Sequence, residues 1–264
     1  MSREARAAKI VADLIIPSER RFYAAYADFQ RTLKAEQLRR LRELPKGTPA
    51  ASFPFALQPW QAAVWQATRK TYATIIRVGI GAGVAEVEAT RKGFHGEQRL
   101  NRVVREFAQK PLEVTIPRGY QEAIQATVAT SRERIARRIY EQIEITGLDD
   151  RDALAAAAEA EFALWRYGRD VAVSADQGGG AIAYGRNEGH VIAGVELMDW
   201  VTAGDERVRE THVTLGNSGP RAEGFDWATL VGGGGPLRFP HDPDAEDLAL
   251  VVNCRCVLLP AEQQ

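Results

Sequence analysis

The sequence predicts an α+β protein that is mainly α, with long helices in the N-terminal half and a small α+β module at the C-terminus. Three observations carry this. Apolar residues recur at helical spacing through the first half. After residue 197 short apolar pieces alternate with Gly, Pro, Asn and Asp, as in short strands and structured loops. The charge balance also changes sign along the chain: residues 1–145 hold 25 Lys+Arg against 15 Asp+Glu, and residues 146–264 hold 9 against 20.

The first helix is expected from Pro17-Ser18 onward, with Phe22, Tyr26, Phe29, Leu33, Leu38 and Leu41 as its apolar stripe. Proline is tolerated in a first turn, and Pro45-Lys46-Gly47 ends the segment. A second helical pattern over 60–93 carries Trp60, Val64, Ala67 and Tyr72. A third spans 121–147 and stops at Gly147, with Arg132, Arg134, Arg137 and Arg138 near its C-terminal end. Cations there suit the helix dipole and read as a solvated face. Asp149 or Asp150 caps the next helix, within 147–173, and a further helical stretch covers 181–196 despite its glycines.

With 264 residues the chain is long enough for one large domain or two modest ones. The expected division is a basic helical region, 1–145, and an acidic module, 146–264, whose motif core is 197–260. Such polarity fits regions with different partners, or halves that attract each other or keep the chain soluble. The apolar runs are too short and interrupted to span a bilayer, so no membrane partner is expected. Residues 1–20 are charged throughout and show no secretory pattern. Two cysteines make no disulfide framework and fit a reducing compartment.

Two glycine clusters invite a phosphate-loop reading, "GIGAG" (79–83) and "GGGGPLR" (232–238). Neither sits in the strand–turn–helix context that aims backbone N–H groups at a phosphate. The second reads as a flexible or tightly turning loop.

More chemistry lies in "DWVTAGDERVRETHVTLG" (199–216). Thr202 and Asp205 form a capping-box variant, so a short helix is expected to begin near Gly204. Asp205, Arg209 and His212 then share one face. They form a surface ion pair beside a histidine, worth at most about 1 kcal/mol, or a pair that orients the imidazole. In "LALVVNCRCVLL" (248–259), a β-prone run, Cys254 and Cys256 face one side and Arg255 the other. The two cysteines are small buried residues, or they join His212 or His241 as metal ligands. A catalytic thiol would need a base and a depressed pKa.

Taken together, "WVTAGDERVRETH" (200–212), a loop with Phe225, "LRFPHDP" (237–243) and "VNCRCVL" (252–258) resemble the phage Mu F-like minor head proteins, or head morphogenesis proteins, of tailed double-stranded DNA phages. The family pattern falls on Trp200, Asp205, Arg209, His212, Phe225, Phe239, Pro240, Asp242, Pro243, Asn253, Cys254, Arg255 and Cys256. The likeness covers the last 65 to 110 residues or so. Where many relatives carry an Arg-Thr-Glu-type motif, this chain has "VSADQGGGAIAYGRNEG". The resemblance implies a non-enzymatic role in the virion head, with assembly in the host cytoplasm. It implies association with the portal or procapsid, and in some cases contact with packaged DNA. No cofactor is expected beyond a structural zinc on His212, Cys254 and Cys256. The alternative is a metal-dependent enzyme or toxin-like domain using the same three residues.

Overall fold

A computed structural model describes residues 2–43, 45, 57–90, 102, 105, 106, 109, 116–147, 149–204 and 208–261. The architecture is mainly α with a small antiparallel sheet near the C-terminus, as the sequence predicts.

The chain becomes helical earlier than expected. Ser2 accepts the Ala5 N–H and opens α1 (Arg3–Ile10), which continues through a π-helical turn, Val11–Ile15, into α2 (Ile16–Glu43). Pro17 therefore lies inside a helical run and does not begin one. A proline lacks an N–H and crowds the carbonyl four residues back, and the wider π turn beside it relieves both constraints. The stripe of Phe22, Tyr26, Phe29, Leu33, Leu38 and Leu41 is buried throughout. In α3 (Leu57–Thr90), Trp60, Val64 and Tyr72 are buried; Ala67 is exposed, and Thr68, one turn from Val64, takes its place. Next comes α4 (Arg118–Thr146), with Gly147 at positive φ just beyond it. Arg134, Arg137 and Arg138 are exposed on α4, the solvated face expected.

Asp150 caps α5 (Arg151–Leu164), accepting the Ala153 N–H at 3.0 Å. A π turn, Trp165–Arg169, leads straight into α6 (Asp170–Ile192), so no break separates the two expected helices. The glycines of α6 are packing devices. A Cβ on Gly178 would lie 2.8 Å from the Ser18 carbonyl oxygen. One on Gly185 would strike the Ile76 carbonyl, and one on Gly189 the Ile80 carbonyl. Gly79 and Gly83 of α3 meet Ile182 and Arg186 in the same way. "GIGAG" thus lets two helix backbones approach closely, and it forms no phosphate loop.

Two compact units are built from interleaved segments: Met1–Phe22, Arg69–Tyr120 and Ser174–Gln264 form one, and Tyr23–Thr68 with Gln121–Val173 the other. The charge boundary at residue 145 is thus not where packing divides the chain. Long-range contacts define the units, and composition along the chain does not encode them. In the second unit Tyr26, Phe29, Ile124, Val128, Ile135, Leu154, Phe162 and Trp165 are buried, and the Trp165 indole N–H donates to Glu161.

The first unit holds the sheet and all the C-terminal motifs. Central strand β1 (Leu197–Val201) pairs antiparallel with β2 (Arg221–Ala222) and β3 (Val257–Pro260), and Trp200 stands opposite Leu258. A short helix, α7 (Glu210–Asn217), lies between β1 and β2 in sequence. Trp200, Trp227, Leu215, Leu237, Phe239, Leu250 and both cysteines share one apolar core. The fully buried Arg186 and His190 meet Glu86 across the α6–α3 contact, at 2.8 and 3.0 Å. Among the described residues, no helix is long and apolar enough to cross a membrane.

Candidate metal centre

His212, Cys254 and Cys256 converge. Nδ1 of His212 lies 3.5 Å from Cys254 Sγ and 3.3 Å from Cys256 Sγ, and the three donor atoms lie within 4.8 Å of one another. A tetrahedral ion with ordinary zinc–sulfur and zinc–nitrogen bonds separates such donors by about 3.6 Å. The two nitrogen–sulfur distances are within a few tenths of that. All three side chains are buried. The group could therefore hold a metal ion.

Local structure explains the convergence. His212 is in the first turn of α7, and its ring packs edge to face on Trp200, with centroids 5.9 Å apart. Its Nε2 is buried without a hydrogen-bond partner among the described residues, so the ring is held by packing and by the contacts of Nδ1 with the two sulfurs. The cysteines arrive on a loop, not on the long strand expected: a 3-10 turn at Leu248–Leu250, then a tight turn, with regular pairing only from Val257. Asn253, at φ 55, is one of two non-glycine residues in the left-handed region among those described. Asparagine tolerates that conformation better than most residues. The loop is pinned on several sides. Asp176 accepts the Asn253 N–H at 2.6 Å, Arg209 donates to the Val252 carbonyl, and His241 Nε2 donates to the Cys254 carbonyl. His241 is thus a strut for the loop and not a ligand.

The thiols differ electrostatically. Burial, and then its neighbour Cys256, push the Cys254 thiol well up. Cys256 is pushed down, first by a hydrogen bond from Cys254 and then by His212, against its own burial. Binding of a cation would require both sulfurs as thiolates and would release the protons they carry. Burial also drives His241 down to about 4, so it remains neutral.

An open cavity of about 290 Å³ borders the three donors, and Glu19, Arg209 and Arg255 stand on its wall. Arg255 shares this cavity with the cysteines, although strand alternation would have turned it away. Burial raises the Glu19 pKa, partly offset by Arg255.

The helix expected near Gly204 begins six residues later. Gly204 has φ 72 and Arg209 is extended, so neither continues a helix back from Glu210. Arg209 therefore reaches the site from the α7 N-cap. Asp205 lies outside the described residues. The other motif residues support the module away from the donors. Trp200 is fully buried against Trp227, and Phe225 meets Trp227 edge-on at 5.5 Å. Phe239 and Pro240 are buried, whereas Pro243 is only partly so. Buried Asp242 accepts from the Arg238 backbone and guanidinium and from the Asp244 N–H, which closes its turn. Sequence reasoning missed Glu19, Asp176 and the Glu86–Arg186–His190 cluster, because nothing in the local sequence around them marks their distant partners.

No protein-family model matches the sequence, and neither a curated protein nor a solved structure matches it.

Proposed function

We propose that this chain is a minor capsid, or head morphogenesis, protein of a tailed double-stranded DNA phage or prophage. It works in the virion head and, during assembly, in the host cytoplasm. One observation supports the reading: Trp200, Arg209, His212, Cys254 and Cys256, chosen for their likeness to the Mu F-like pattern, gather at one buried centre. Residues spread over 57 positions have no local reason to meet, and a shared structural motif supplies one. The role is architectural and not enzymatic, and the metal is zinc, which suits two thiolates and an imidazole. Its partners are the portal or other head components. DNA contact falls to the basic half, where Arg134, Arg137 and Arg138 lie exposed on one helix.

Co-expression of the tagged chain with portal and major capsid proteins of a Mu F-type phage tests this. The chain should co-sediment with procapsids and be absent from particles assembled without portal. A chain that never enters particles contradicts the proposal.

The open cavity beside the donors favours a second reading, a metal-dependent enzyme or toxin-like domain on His212, Cys254 and Cys256. Under the head-protein reading His212→Ala impairs folding or assembly. Under the second it abolishes a turnover or toxicity while the fold survives.

A further inference from the structure

We propose that the metal centre has an open fourth position facing the cavity, and that an external anionic oxygen ligand, a carboxylate or a phosphate, fills it. This rests on the metal reading above and adds what completes the coordination. Three donors leave one place on a tetrahedral ion. Among the described residues, no fourth His, Cys, Asp or Glu atom joins the group. Two neighbours are engaged elsewhere, His241 Nε2 with the Cys254 carbonyl and Asp176 Oδ1 with the Asn253 N–H, and Glu19 on the cavity wall lies outside the donor group.

What the donors do face is space. The cavity of about 290 Å³ far exceeds what one water needs, about 10–15 Å³ on the same kind of measure. Its charge selects the ligand. Two thiolates offset a divalent cation, and among the described residues the wall then holds two basic side chains, Arg209 and Arg255, and one acidic side chain, Glu19. Arg209 spends one N–H on the Val252 carbonyl, which fixes the group in place. A planar guanidinium is suited to an oxyanion, and a cation at the same site strengthens the match.

The test uses the full chain loaded with cobalt(II), titrated separately with inorganic phosphate and with acetate. Thiolate-to-cobalt charge transfer should appear in the visible spectrum and fade when either cysteine becomes serine. The ligand-field bands should then shift saturably with phosphate, acetate or both, and the responding anion tells a phosphate site from a carboxylate site. Arg255→Gln should weaken that binding roughly tenfold, the size of one charge-assisted hydrogen bond. Glu19→Gln should tighten it, because a competing negative charge is gone. Charge transfer with bands unmoved by either anion overturns the open position. Bands that respond to Glu19→Gln but to neither anion overturn it too, because Glu19 would then be the fourth ligand. If charge transfer never appears, the metal reading fails and the open position with it.

Discussion

Nδ1 of His212 lies 3.3 Å from the sulfur of Cys256, although 44 residues separate the two in sequence. A buried histidine and thiol held this closely are a fixed part of the fold. Replacing His212 with Ala removes a candidate metal donor and leaves a cavity beside Trp200. Stability should fall by about 2–4 kcal/mol, the range for removing a large buried side chain or a tightly bound ligand. Urea unfolding of both chains, followed by Trp fluorescence, measures this, and an unchanged midpoint would count against the site.

Gly185 and Gly83 seat helix against helix, and an added methyl group at either meets backbone. Alanine normally favours a helix over glycine by about 1 kcal/mol. Here the collision should win, with Gly185→Ala destabilising by about 1–3 kcal/mol. At Gly168 an added Cβ meets nothing within 4 Å, so Gly168→Ala should be neutral or stabilising. Urea midpoints that moved the same way for both would contradict the packing role assigned to Gly185.

Glu86 holds two buried side chains in place, the Arg186 cation and the His190 imidazole. Burial opposes its ionisation, but Arg186 and His190 outweigh that and hold its pKa near 2. Glu86→Gln strands Arg186 in the core and should cost about 3–5 kcal/mol.

Burial lowers the pKa of His190 despite Glu86, and it lowers His241 to about 4. Both histidines bind a proton more readily when unfolded. Stability is therefore complete above the unfolded value, about 6.5, and falls as pH drops toward the folded values. Glu86 adds a loss only at lower pH, from about 4.5 toward 2. Denaturation at a series of pH values between 8 and 4.5 should show the decline, and His190→Gln should flatten it. A profile that rises as pH falls through this range would contradict the assignment.

If the basic half touches DNA, Arg134, Arg137 and Arg138 are the exposed cations to test. Replacing all three with Gln should reduce the slope of log affinity against log salt by about 2–3, close to one unit per phosphate contact. Filter binding of the full chain over a salt series measures it. Affinity that is insensitive to salt, or absent at low salt, removes DNA from the list of partners.

The α stripes were legible in the sequence because 3.6-residue periodicity is local: Phe22 to Leu41 and the Asp150 cap were placed correctly. The meeting of His212 with Cys254 and Cys256 was legible as a residue set but not as geometry. The sequence offered His212 and His241 equally, and only the fold sends His241 to a carbonyl. Asn253 misled the strand reading, because a left-handed residue stops the alternation that "LALVVNCRCVLL" suggests. The helix over the glycines of α6 was expected, but their packing role was not legible, because their contacts with α3 lie about 100 residues away in sequence.

Elemental analysis of the chain purified without added metal tests most directly the proposal that His212, Cys254 and Cys256 hold a metal. One zinc per chain is predicted, lost in Cys254→Ser and Cys256→Ser, with a thermal midpoint that drops in chelator. Zinc well below one per chain, with a midpoint that chelator leaves unmoved, would contradict the account.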